Sequence, residues 1–119
     1  ALLNFGHTFG HAIENLTHYN TWLHGEAVSI GMCMAAKLSK NLGMINQQNH
    51  TRIKNLLVKS GLPIRSDSNF NVDEFITVMS LDKKNTNGQI NLILLEALGK
   101  AVKKPNIPKD VIREAIISF

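Results

Sequence analysis

The segment 4–14 constrains this chain most, because it combines two glycines and two histidines at helical spacing. His7 and His11 are four residues apart, and four residues of an α-helix turn through about 400°, so both rings project from one face. Glycine costs about 1 kcal/mol relative to alanine inside a helix. Gly6 and Gly10 directly precede the histidines, which indicates that a backbone or a ligand approaches this helix closely.

A third histidine, His24, opens the next apolar segment after an aromatic turn. A helix N-terminus has free backbone N–H groups and a positive local dipole, so it favours a ligand. The shared face of His7 and His11 suits two imidazoles that converge on one divalent metal ion or one anionic substrate. Spacing alone leaves a second interpretation open, in which His7 and His11 are surface or packing residues.

Apolar periodicity and helix-ending residues predict a mainly α domain with one short β-hairpin. Helices are predicted at residues 7–16, 25–42 and 46–60, from residue 71 or 72 onwards, and from Pro108, at a first helical position, through Ile116. The hairpin is predicted at 89–95 and 100–103. The helix at 46–60 has a predicted apolar face of Ile53, Leu56 and Leu57.

Composition excludes several classes of protein. The 119 residues are enough for one domain, and no apolar run reaches the roughly 18 residues of a membrane span. No signal peptide is recognisable, and the single cysteine, Cys33, cannot form an internal disulfide. Cys33 is predicted to be a buried apolar residue in a reducing compartment such as the cytoplasm. The net charge of +4 comes from scattered residues, so neither nucleic acid nor a membrane is an expected partner.

Three separated motifs resemble those of 3-dehydroquinate synthase. They are LLNFGHTFGHAIE at 2–14, HGEAVSIGM at 24–32, and Asp82-Lys83-Lys84 followed by the segment 88–99. The resemblance extends over essentially the whole chain but only to the C-terminal domain of that enzyme. It implies that residues 1–119 form a single helical domain of the dehydroquinate synthase-like fold, with the N-terminal NAD-binding domain absent.

The resemblance implies an activity. The family converts 3-deoxy-arabino-heptulosonate 7-phosphate into 3-dehydroquinate and phosphate, a lyase step of the shikimate pathway of aromatic amino acid biosynthesis. It uses NAD for hydride transfer and a divalent metal, zinc or cobalt, as a Lewis acid. The expected small-molecule partner is therefore a phosphorylated sugar acid, and the full-length enzyme is expected to be a homodimer.

The resemblance also implies roles for residues near the start of the chain. His7 and His24 correspond to metal ligands. His11 corresponds to a catalytic residue that lies near the substrate phosphate and acts in proton transfer, and Asn4 to a hydrogen-bond donor to substrate. Glu26 is expected to orient His24 through a hydrogen bond, as carboxylates in the second coordination sphere do.

Two lysines far from these residues complete the implied site. Lys83 or Lys84, with Lys84 preferred, is expected to contact the phosphate as a point charge. No chemistry is assigned to Glu14. His18 and His50 match no motif and are expected to be solvated.

Several parts of the family's active site lie upstream of this chain. These are a glutamate that is the third metal ligand, a substrate-binding arginine and lysine, and the NAD-binding residues. The isolated chain is therefore expected to bind metal poorly and to be inactive, with no cofactor-binding residue of its own.

Three alternatives remain. A related sugar-phosphate cyclase would share most of the same residues, and a metal-dependent glycerol or alcohol dehydrogenase would share the metal-site histidines. Asn4, His11 and the motif at 82–84 argue against a dehydrogenase, because a simple alcohol needs no phosphate-binding residues. A non-catalytic helical module is the third alternative.

Overall fold

A computed structural model describes the chain at residues 4–18, 21–66, 70–81 and 89–119. These residues form α1 (His7–Leu16), α2 (His24–Asn41), α3 (Gln47–Lys59), α4 (Val72–Ser80), β1 (Leu92–Ala97), β2 (Lys100–Lys104) and α5 (Lys109–Ile117). The predicted mainly α fold with one hairpin is confirmed. Within the described ranges, no helix has both the length and the apolar character that crossing a membrane requires.

The longest helix, α2, forms the centre of the domain. It contacts α1, α3, α5 and β1. Ile30 and Leu38 are fully buried on it, as the helical spacing of apolar residues predicts. Ser39 donates a hydrogen bond to the carbonyl of Ala35 (2.8 Å) and accepts one from the backbone N–H of Leu95 (3.0 Å). This hydroxyl fixes β1 to α2 inside the core.

Glycine allows α1 and α2 to touch backbone to backbone. A Cβ atom placed on Gly31 would lie 2.2 Å from the carbonyl oxygen of Gly6 and 2.7 Å from the amide nitrogen of Gly10. A Cβ on Gly6 would lie 2.6 Å from the amide nitrogen of Met32, and Gly6 has a φ of +82°. The close approach predicted from the glycines is therefore that of another helix backbone.

Local residues set the helix ends. Asn46 and Asn71 cap α3 and α4, and each side chain accepts a hydrogen bond from the backbone N–H three residues later, at 2.8 and 3.0 Å. Gly43 and Gly61 have positive φ values just after α2 and α3, as their predicted role as helix stops requires. Pro108 immediately precedes α5 instead of starting it.

The hairpin, through β1, and α5 both pack against α2. The strands are antiparallel, with Leu92 opposite Lys104. The first strand begins three residues later than predicted. The segment before it is joined to the loop between β2 and α5 by a hydrogen bond that Ile107 N donates to Ile90 O (2.8 Å). The Cα radius of gyration, 13.0 Å, matches the value of about 13.5 Å for a compact domain of this length.

Cys33 lies inside this core. It is fully buried on α2, as predicted from its apolar surroundings. Burial raises the pKa of its thiol to about 11, and the positive charge of Lys54 offsets part of that effect. The thiol is therefore protonated at neutral pH and chemically unreactive.

Candidate metal and substrate site

Three histidines meet where α1 crosses the start of α2. His7 and His11 lie on α1 one turn apart, and His24 is the first residue of α2. The centroids of their rings are 5.9 Å apart for His7 and His11, 5.8 Å for His7 and His24, and 6.0 Å for His11 and His24. The glycine contact between the two helices brings these rings together.

A buried carboxylate supports one of the three rings. The two carboxylate oxygens of Glu14 lie 3.1 and 3.2 Å from Nδ1 of His24. The side chain of Glu14 is 11% exposed, whereas that of His24 is 57% exposed. When the Nδ1–H group donates a hydrogen bond to this carboxylate, the lone pair of the neutral imidazole is on Nε2, where a metal ion can bind.

Glu26, which was expected to hold His24, does something else. Its carboxylate accepts a hydrogen bond from the backbone N–H of Leu23 (2.9 Å) and so caps the start of α2. The contact to His24 belongs to Glu14 instead, a residue to which the sequence assigned no chemistry. A signal was present, because His7, His11 and Glu14 recur at helical spacing on one face of α1.

The donor atoms in this cluster fit a divalent metal of the zinc type. His11, Glu14 and His24 each offer one ligand atom, and these atoms lie within 4.8 Å of one another. Nδ1 of His7 is buried and has no hydrogen-bond partner in the described part of the chain. Imidazole nitrogens and a carboxylate are the donors that zinc commonly takes in proteins, so the residues present are suited to such an ion.

Of the other predicted substrate residues, the structure describes Asn4 but not the two lysines. Asn4 is exposed in the turn before α1, outside the helix that carries His7 and His11. Lys83 and Lys84 lie outside the described residues.

The other two histidines differ from each other. His18 is exposed, as expected. His50 was expected to be solvated, but that expectation is wrong, because only 5% of its surface is exposed. Burial and the positive charges of Lys40, Lys54 and Lys37 lower the pKa of His50 to about 4.

Comparison with known proteins identifies the family of this chain. Residues 1–85 match the family model described as 3-dehydroquinate synthase C-terminal. This chain belongs to that family. The 3-dehydroquinate synthase of Campylobacter jejuni (strain RM1221) is 49% identical over 118 residues, which are 99% of this chain and 33% of that protein. The 3-dehydroquinate synthase of Nitrosospira multiformis is 45% identical over 116 residues, 98% of this chain and 31% of that protein. The chain spans about a third of the length of these curated relatives.

Solved structures share the fold of this 3-dehydroquinate synthase C-terminal domain. A 2-epi-5-epi-valiolone synthase from Streptomyces hygroscopicus with NAD+ and Zn2+ bound has a TM-score of 0.83 and 24% identity, over 98% of this chain and 32% of that one. A 2-deoxy-scyllo-inosose synthase complexed with carbaglucose-6-phosphate, NAD+ and Co2+ has a TM-score of 0.79 and 28% identity, over 95% of this chain and 33% of that one. Both neighbours are sugar-phosphate cyclase-like in fold.

Proposed function

We propose that this chain is the metal- and substrate-binding part of a 3-dehydroquinate synthase. The proposed reaction converts 3-deoxy-arabino-heptulosonate 7-phosphate into 3-dehydroquinate and phosphate, a lyase step of the shikimate pathway. The observation that carries this proposal is the convergence of His7, His11 and His24 beside the buried carboxylate of Glu14. The identity of 49% to a curated relative of that name supports the choice of reaction.

His7 and His24 are assigned as ligands of a divalent metal, zinc or cobalt. Glu14 orients the ring of His24 through Nδ1. A third ligand is expected from the rest of the protein, because two imidazoles alone leave a four-coordinate site incomplete. His11, Glu14 and His24 form a second candidate ligand set, and zinc titration of the His7→Ala and His11→Ala variants separates the two sets.

The other residues act on the substrate. His11 is exposed beside the metal ligands, where its imidazole can transfer a proton near the substrate phosphate. Asn4 donates a hydrogen bond to the substrate, and Lys83 or Lys84 binds the phosphate. When bound, the metal supplies Lewis-acid polarisation of an alcohol or carbonyl, and NAD, held mainly by the rest of the protein, supplies hydride transfer.

The proposed setting follows from this reaction. The partner is a small phosphorylated sugar acid, and the longer protein is expected to act as a cytoplasmic homodimer. Neither nucleic acid nor a membrane has a part in this reaction.

A related sugar-phosphate cyclase is the second candidate, because both solved neighbours bear names of enzymes that make other products. The curated 3-dehydroquinate synthases are 45 to 49% identical to this chain, whereas the solved neighbours are 24 to 28% identical. The higher identity favours the dehydroquinate reaction. A metal-dependent dehydrogenase and a non-catalytic module are outcomes that the following experiment can reveal.

The reaction is tested in a chimera in which this chain replaces the C-terminal third of the Campylobacter jejuni relative. With NAD and zinc, the chimera should release phosphate from the heptulosonate phosphate, and the His24→Ala chimera should not. Phosphate release from glucose 6-phosphate, but not from the heptulosonate phosphate, would assign another cyclase reaction. Oxidation of a simple alcohol without phosphate release would assign a dehydrogenase.

Zinc binding by the isolated chain tests the metal site separately. Isothermal titration should show weak affinity, on the order of micromolar or poorer, which is lost in the His7→Ala and His24→Ala variants. The isolated chain should show no turnover. If zinc binding is unchanged by either substitution, the assignment of His7 and His24 as ligands is wrong.

A further inference from the structure

A second group of basic side chains surrounds a small cavity far from the three histidines. The cavity has a volume of about 100 Å³, and its lining includes Lys37 of α2, His50 and Lys54 of α3, and Arg65. Lys37 is thirteen residues from His24 along α2, which corresponds to about 20 Å of helix. The cavity, here called the basic cavity, is therefore separate from the candidate metal site.

No acidic side chain is among the described residues that line the basic cavity. Among the described residues, Lys37, Lys54 and Arg65 form no ion pair with an acidic side chain. Glu114 on α5 raises the pKa of Lys37, but burial and the charges of Lys40 and Lys54 outweigh it and lower that pKa. Glu114 does not line the cavity. A region in which cations repel one another gains stability when an anion enters.

The buried histidine in the cavity wall lacks partners. Only 5% of the surface of His50 is exposed, and neither Nδ1 nor Nε2 has a hydrogen-bond partner within the described ranges. A neutral imidazole has one N–H donor and one acceptor, and buried polar groups in folded proteins are normally paired. An oxyanion would accept the N–H of His50.

We propose that the basic cavity binds a small oxyanion of the phosphate or sulfate type. Its volume admits such an ion, and its lining supplies positively charged N–H donors and no acidic side chain. Lysine and arginine are the side chains that proteins use for phosphate groups. The bound anion would offset part of the charge of the three cations, accept a hydrogen bond from His50 and join α2 to α3 and to the segment that follows α3.

The binding is tested by titrating inorganic phosphate into the chain at constant ionic strength, with chloride as the balancing anion. Proton–nitrogen NMR spectra of the imidazole rings should show the His50 signals shifting with saturation, while those of the exposed His18 do not. Lys54→Gln and Arg65→Gln should each weaken this response at least tenfold. Lys59→Gln removes the same charge from α3 outside the cavity and should change it less than twofold.

Further titrations separate this site from the candidate metal site. The response of His50 should be unchanged in His24→Ala, whatever the fate of zinc binding in that variant. Glucose 6-phosphate is titrated in parallel: a response to both probes assigns the phosphate group of a larger ligand, and a response to inorganic phosphate alone assigns the free ion. Either response supports the proposal. Absence of any shift at His50, or equal weakening by Lys54→Gln and Lys59→Gln, would overturn it.

Discussion

Two histidines near the starts of helices have opposite surroundings in this molecule. His24 begins α2, is largely exposed, and contacts the carboxylate of Glu14. His50 lies in the first turn of α3, is buried, and has lysines as its charged neighbours. A carboxylate on one ring nitrogen orients an imidazole so that the other can bind a cation. Burial, together with nearby lysines, keeps an imidazole neutral, and the lysines favour an anion. The neighbours, and not the side chain itself, decide which ligand each histidine suits.

The two regions also differ in packing. The α1–α2 crossing is so close that no Cβ fits at Gly31, and apolar side chains of the two helices, such as Phe9 and Ile30, are almost completely buried. On α3, by contrast, Leu56 is 64% exposed and Val58 is 55% exposed. The metal ligands are therefore held by a rigid crossing, while the basic cavity lies against a less closely packed helix.

The largest expected effect comes from breaking the crossing. Gly31→Ala should lower the free energy of unfolding by roughly 3 kcal/mol or more, because the new Cβ would overlap the backbone of Gly6 and Gly10. It should also abolish zinc binding, since the three rings would separate. Urea unfolding and zinc titration measure both effects.

Gly25→Ala is the matched control, on the same helix with no atom within 4 Å of its new Cβ. Its free energy of unfolding should stay within about 1 kcal/mol of that of the parent chain. Equal stability of the Gly31→Ala and Gly25→Ala chains would show that the crossing is not as close as described.

The next largest effect concerns acid and His50. Its pKa is about 4 in the folded chain and 6.5 in its ordinary state, so the unfolded chain binds a proton more readily as the pH falls between those values. This contribution to stability is present above pH 6.5 and is lost as the pH falls towards 4. At 1.36 kcal/mol per pKa unit, the loss is about 3 kcal/mol.

Unfolding measured from pH 7 to pH 4 checks this expectation. The difference in stability between the parent chain and His50→Gln should shift by that amount, which cancels the titration of carboxylates common to both. A parallel pH dependence in the parent chain and His50→Gln would contradict the pKa given for His50.

The support of His24 by Glu14 predicts a smaller effect. Glu14→Gln removes the charge but not the shape, and should weaken zinc binding by about 10- to 100-fold. Glu26→Gln, which alters only the cap of α2, should change zinc affinity by less than about threefold. If isothermal titration showed equal effects of the two substitutions, Glu14 would not support zinc binding through His24.

The same titration compares two histidines on α1. His7→Ala should abolish zinc binding, whereas His11→Ala should retain most of it, because His11 is assigned to proton transfer. The reverse order would favour the ligand set of His11, Glu14 and His24, whose donor atoms lie within 4.8 Å of one another.

The smallest effect tests the helix that carries His50. Asn46→Ala removes the hydrogen bond to the N–H of Asn49 and should lower the free energy of unfolding by about 1 kcal/mol. Asn46→Asp keeps an acceptor there and should remain close to the parent chain in thermal unfolding. If both variants lose the same stability, the cap does not hold α3.

The sequence by itself determined the helices and their ends. Helical periodicity and punctuation by Gly43, Gly61 and Pro108 act within a few residues, so the observed bounds lie within one or two residues of the predicted ones. The spacing of His7 and His11 likewise fixed their common face, since a helix repeats every 3.6 residues.

Only the tertiary structure decided which surfaces the helices bury and which side chains meet across them. His50 shares a helix face with Ile53 and Leu57. The apolar face predicted for this helix included Leu56 instead of His50, but Leu56 is 64% exposed. The partner of His24 proved to be Glu14, ten residues away on another helix, and not the nearby Glu26. Such contacts depend on the angle and distance at which helices cross, and the glycines set that geometry only once both helices have formed.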